Sequence, residues 1–136
     1  MTTPIFHMIS DGPRPVAPFS HAVEADGWLF VTGQMPNESD DHAQPLPEGI
    51  DAQTHQVMRN LDAVLRGIGL GLADVVSARV FLTHFDDDYA RMNAAYASYF
   101  MEGRRPARTC VGVTALAKGA RVEIELLARR PEPVRP

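Results

Sequence analysis

The spacing of apolar and polar positions changes along the chain, and each change marks an element. Residues 1–17, up to Pro18, hold Pro4, Pro13, Pro15 and Gly12, which predicts an irregular lead-in with one short strand near Ile5 to Ile9. Ser20 to Ala25 and Trp28 to Gln34 flank Asp26-Gly27. That pair accepts positive φ readily, so the two runs are expected to form a tight β-hairpin. Pro36 to Gly49 is acidic, contains proline and lacks an apolar period; it reads as a solvated, mobile loop. From Ile50 the period becomes helical, with Val57, Met58, Leu61, Val64, Leu65 and Ile68 on one stripe and Asp51 or a neighbour as a cap. Gly67, Gly69 and Gly71 should end this helix, since glycine weakens a helix and suits a left-handed cap.

Val76, Ala78, Val80 and Leu82 alternate with Ser77, Arg79, Phe81 and Thr83, the pattern of a strand. Tyr89, Met92, Tyr96 and Phe100 then recur at spacings of three and four, predicting a second helix capped by Asp86 or Asp87 and closed by Gly103. Arg108 to Thr114 and Arg121 to Ala128 are extended, β-branched runs around Lys118-Gly119, expected to pair as a closing hairpin. The tail from Arg129 to Pro136 is expected to fray. The resulting order, β-β-β-α-β-α-β-β, defines an α+β domain with two helices on one face of a mixed sheet. On the last strand Val122, Ile124 and Leu126 point to one face, and Arg121, Glu123 and Glu125 to the other. That second face is either a solvated surface or a site, and periodicity does not choose between them.

The 136 residues, 45% hydrophobic and 22% charged, describe one ordinary folded domain. A single cysteine, Cys110, has no internal disulfide partner, and the N-terminus lacks a basic segment followed by an apolar run; a cytosolic protein is expected. No apolar run approaches the roughly 20 residues needed to span a bilayer. A net charge of −4 gives no general attraction to nucleic acid. His7, His21, His42, His55 and His84 lack metal-ligand spacing with one another or with Cys110, so no metal site is expected. His21 reads as a surface or hairpin hydrogen-bonder. The three clustered glycines follow a helix rather than a strand, which rejects a dinucleotide loop. Cys110 reads as a small buried side chain rather than a nucleophile. What remains is an arginine, Arg108, and a glutamate, Glu123, on strands taken to be paired.

Around these two residues the chain resembles a known family. Arg105-Pro-Ala-Arg-Thr-Cys-Val-Gly-Val-Thr114 followed by Val122-Glu-Ile-Glu-Leu126 is similar to the C-terminal signature of the Rid (YjgF) family of enamine and imine deaminases. Ala17-Pro-Phe-Ser-His-Ala-Val23, Phe30-Val-Thr-Gly-Gln-Met-Pro36 and Met92-Asn-Ala-Ala-Tyr96 agree in order. The resemblance covers Pro18 to Leu126. It implies the chorismate mutase-like fold, a homotrimer with clefts between subunits, and hydrolysis of reactive 2-enamine or 2-imine carboxylates to 2-keto acids and ammonia without a cofactor. Carried over by position, Arg108 grips the substrate carboxylate and Glu123 activates water. The backbones of Gly33 and Cys110 contact the carboxylate and the reacting end, and Asn93 and Phe19 complete the cleft. Phe19 departs from the family's usual tyrosine, and His21 from its usual glutamine. A carboxylate-binding module without catalysis on the same scaffold is the alternative; a ribonuclease or translation inhibitor is disfavoured by the acidic charge and the missing RNA-stacking motif.

Overall fold

The computed structural model describes residues 3–10, 12–15, 17–38 and 44–132. Six strands form one sheet: β1 (Ile5–His7), β2 (Ala22–Ala25), β3 (Trp28–Gln34), β4 (Val75–Leu82), β5 (Ala107–Gly112) and β6 (Val122–Arg129). Two helices, α1 (Ile50–Gly67) and α2 (Phe85–Ala97), are packed on one face of it. The strand order is β1-β2-β3-β6-β4-β5. Only the β4–β5 pairing is parallel, as the intervening α2 crossover requires.

Local chemistry accounts for most boundaries. Asp26 and Gly27 take φ of 52° and 83°, the two left-handed positions of a tight hairpin turn. Helix α1 stops at Gly67; Gly69 turns left-handed at φ 85°, and the Leu70 amide reaches back to the Leu65 carbonyl at 2.8 Å. Val57, Leu61 and Val64 of α1 meet Leu29, Val31, Val80 and Ile124 of the sheet, each at most 3% exposed. Burial of each such side chain contributes about 1.5–3 kcal/mol before chain entropy is counted.

Several expectations from sequence are corrected. The runs expected to form a closing hairpin do not pair with each other. β5 lies along β4, Ala78 beside Arg108, and β6 takes the other side of β4, Phe81 beside Glu123. Alternation gives each strand its two faces but not its neighbour, and the connection through the short 3-10 turn Ala117–Gly119 is long enough to step across β4. Arg121 does not share the outer face with Glu123. Its side chain turns to α2, donating to both Asp88 oxygens at 2.7 and 3.0 Å. Neither Asp86 nor Asp87 caps α2: the helix begins at Phe85, which places both inside its first turn, and His84 holds the cap position without a side-chain bond. Gly49, rather than Asp51, precedes α1, and Asp51 pairs with Arg91 at 3.2 Å.

His21 is buried at 2% exposure, accepting from the Ile9 amide at 2.8 Å and hydrogen-bonding the Pro13 carbonyl. It therefore organises the lead-in from inside rather than lying on the surface. The expected loop after Pro36 begins buried, with the Asn60 amide donating to the Met35 and Asn37 carbonyls at 3.0 and 2.9 Å; residues 39–43 of that loop lie outside the described residues. The tail is anchored where fraying was expected to begin. β6 runs through Arg129, and Arg130 donates to both Glu24 oxygens at 2.9 Å and to the Ile68 carbonyl at 3.1 Å; residues 133–136 are outside the described part.

Candidate active site

The six residues singled out from the sequence fall into two groups on opposite faces of the sheet. Glu123 belongs to the face away from the helices. It lines a cavity of about 150 Å³ with Gly33, Phe19, Met35, Pro15 and Ala117. Gly33 enters this cavity through a bulge. Val31 pairs with Leu126 and Gln34 with Ile124, so Thr32 and Gly33 together oppose Glu125. The close approach needs glycine, because a Cβ there would stand 2.9 Å from Glu123 Oε2. Burial in this largely apolar setting raises the Glu123 carboxyl above its ordinary pKa, and the neighbouring charge of Glu125 adds to the effect. Glu125 is itself paired with Arg79 across the strands.

Arg108, Cys110 and Asn93 form the second group, on the helix side at the β5 edge. The Arg108 guanidinium lies 5.0 Å from the Tyr96 ring centre and 5.9 Å from that of Tyr89. It also contacts Met92 Sδ at 3.9 Å and the Tyr89 hydroxyl oxygen at 3.4 Å. Among the described residues it has no carboxylate partner, whereas Arg66, Arg79, Arg91, Arg121 and Arg130 each have one. Arg108 is thus a half-buried cation with a fork suited to an anion and none supplied by the described residues. Burial pushes the Cys110 thiol pKa up against the opposing pull of Arg108, which keeps it protonated and disfavours a thiolate nucleophile.

The Cys110 backbone has a clearer use. The Val113 amide donates to the Leu82 carbonyl on β4. Amides alternate in direction along a strand, so those of Thr109 and Val111 also face β4, and those of Arg108, Cys110 and Gly112 face outward from the sheet edge. The Cys110 N–H therefore opens outward from the edge strand β5, and the Arg108 fork lies on the helix side of that same strand, against Tyr89, Met92 and Tyr96. Asn93 lies one turn after Tyr89, its side-chain oxygen enclosed and without a hydrogen-bond partner among the described residues. Sequence reasoning did not single out Tyr89 or Tyr96 as site residues, because their spacing is that of a core stripe. Exposure separates them: Tyr96 is 4% exposed and Tyr89 is 37%.

Among the described residues no group of three or more His, Cys, Asp or Glu side chains could hold a metal ion. No described helix is long and apolar enough to cross a membrane.

A mixed six-stranded sheet backed by two helices, with a carboxylate in an apolar cleft and an anion-seeking arginine at the edge, defines a small α+β protein of the chorismate mutase-like fold. The chain belongs to the YjgF/Rid family, matching the family model described as Endoribonuclease L-PSP over residues 9–130. It is 40% identical over 119 residues to a RutC family protein of Pyrococcus horikoshii, covering 87% of this chain and 91% of that one. It is 32% identical over 122 residues to the 2-iminobutanoate/2-iminopropanoate deaminase of Salmonella typhimurium, covering 88% of this chain and 93% of that one. A solved Rid-family structure from Yersinia pestis superposes with a TM-score of 0.84 at 35% identity, covering 93% of this chain and 99% of that one.

Proposed function

We propose that this protein is a hydrolytic deaminase of reactive 2-imino and 2-enamine carboxylates, such as 2-aminoacrylate and 2-aminocrotonate. The observation that carries the reading is Arg108, a half-buried guanidinium without a carboxylate partner among the described residues, beside an outward-facing backbone amide. Such a pair suits a planar carboxylate. The enamine first tautomerises to the imine, whose C2 is electrophilic. Water adds to C2, Glu123 takes a proton from that water, and the C=N bond becomes a C–N single bond. Proton delivery to nitrogen then lets ammonia leave as the carbonyl forms, so imine plus water gives 2-keto acid plus ammonia. The raised proton affinity of Glu123 suits both halves of this transfer.

One chain does not bring both groups to one substrate. Arg108 is level with Ala78 on β4, which is level with Leu126 on β6. Glu123 is therefore roughly 10 Å away across two strand spacings and about 10 Å further along, on the other face. The reading thus requires a second copy to supply the missing half, and a homotrimer with clefts between subunits meets that requirement. The outer face suits such packing. Phe6, Val23, Phe30 and Leu127 are successive partners across β1, β2, β3 and β6, a row of apolar side chains on one face, and Phe30 is 56% exposed in the single chain.

The test is ammonia release from 2-aminocrotonate generated in place by a threonine dehydratase. Acceleration by the wild-type protein, lost in Arg108→Ala, is expected; a rate no faster than the spontaneous one would overturn the reading in favour of carboxylate binding without turnover. A ribonuclease has little support, because the arginines of the described ion pairs are neutralised by carboxylates rather than gathered into a basic strip.

A further inference from the structure

We propose that the Tyr89 hydroxyl is a further substrate-binding group, donating to the carboxylate held by Arg108. This rests on the carboxylate-gripping role proposed for Arg108. Tyr89 Oη faces Arg108 Nη2 at 3.4 Å, and in that contact the guanidinium donates and the phenol oxygen accepts. A phenol has one O–H to give. With its oxygen turned to Arg108, that proton points away from the guanidinium, and no described group accepts it. The ring cannot easily swing to find another partner, because it is stacked on Phe85 with centroids 4.7 Å apart at an interplanar angle of 23°.

The location is as informative as the bonding. Tyr96, which also lies against Arg108, is 4% exposed and forms a buried wall, whereas Tyr89 is 37% exposed and reaches solvent. Three donors stand at the edge strand β5: the Arg108 fork, the Tyr89 O–H beside it and the outward Cys110 amide two residues on. A carboxylate has about four acceptor positions on two oxygens, enough to take all three. The arrangement suits a carboxylate, whose charge Arg108 matches and whose remaining acceptor positions the neutral donors can fill.

Tyr89→Phe removes the hydroxyl and keeps the ring, its stacking and the cation contact, so folding is preserved. The measurement is binding of 2-oxobutanoate, the stable product of the proposed reaction, by calorimetry to the full chain, with KM and kcat for 2-iminobutanoate alongside. The variant should raise Kd and KM about 2- to 10-fold with kcat within about twofold. In an Arg108→Ala background, where no anion is held, it should have no further effect. The neutral 2-oxobutanamide, binding weakly to both proteins, should not distinguish Tyr89→Phe from wild type. Unchanged 2-oxobutanoate affinity in Tyr89→Phe, in a protein whose binding is abolished by Arg108→Ala, would overturn the role of Tyr89 alone. Binding that survives Arg108→Ala would overturn the carboxylate site itself and Tyr89 with it.

Discussion

Arg108 and Glu123 face away from each other across one sheet, with β4 between their strands. If a second copy completes the site, two inactive variants should rescue one another. Arg108→Ala and Glu123→Ala, each inactive alone, should recover activity when dissociated, mixed in equal amounts and reassembled. Random assembly leaves about a quarter of the interfaces with both groups intact, so about a quarter of the wild-type rate is expected. A mixture as inactive as its components would rule out a shared site.

Glu123→Gln should spare keto-acid binding and lower kcat about 10²- to 10⁴-fold, since only proton transfer is lost. Its pH behaviour follows from the raised carboxyl. The folded protein holds this proton at a pH where the unfolded chain has released it. The resulting stabilisation is complete below the unfolded pKa near 4.5 and is lost as pH rises through the higher folded value. Activity runs the opposite way, because the base form appears over that same interval. A kcat profile with its acidic limb above the ordinary carboxylate range, flattened in Glu123→Gln, is the expected result.

Gly33→Ala tests the bulge. The added Cβ would sit 2.9 Å from Glu123 Oε2 and 3.1 Å from its Cδ. The carboxylate can rotate away at little cost in stability, but a displacement near 1 Å can reduce the rate by about 10². The expected variant is folded, with a melting temperature close to wild type and kcat at least tenfold lower. A fully active Gly33→Ala would show that Glu123 is not held by this contact.

Asp88→Ala should be structural in effect. Asp88 is 4% exposed and takes both of its bonds from Arg121, whose amide also donates to Gln53 Oε1 at 2.8 Å. Removing the carboxylate leaves a partly buried cation and should cost about 2–3 kcal/mol, read by denaturant unfolding. The m-value should be unchanged.

Glu24 supplies an acid-range prediction. Hydrogen bonds from Arg130 hold its carboxyl at about 2, with burial opposing and His7 assisting. Stability from this group is present above the unfolded pKa of 4.5 and disappears as pH falls toward 2. Glu24→Gln should flatten the stability profile across that window and loosen the junction of β1, β2 and the segment after β6.

The elements were legible because each is a local decision. The Asp26-Gly27 turn, the stripe from Val57 to Ile68 ended by glycines, and the alternation from Val76 to Leu82 depend on backbone freedom and side-chain period within a few residues. Arg108 and Glu123 stood out only as an arginine and a carboxylate on strands expected to pair; their roles, and that of Gly33, came from the resemblance to the Rid family, and the approach of Gly33 to Glu123 became visible only in the structure. Sequence by itself determined the α+β class, the two-helix layer and the chemical types of the candidate site. Neighbour relations were decided only by the tertiary structure. A period of two assigns faces but says nothing about which strand lies alongside, so the insertion of β4 between β5 and β6 had no local signal. The same holds for Arg121 turning to Asp88, for the burial of His21 against the lead-in, and for the partial exposure of Tyr89 within an apolar stripe. Each depends on contacts between segments far apart in the chain, where packing and electrostatics of the whole domain set the outcome.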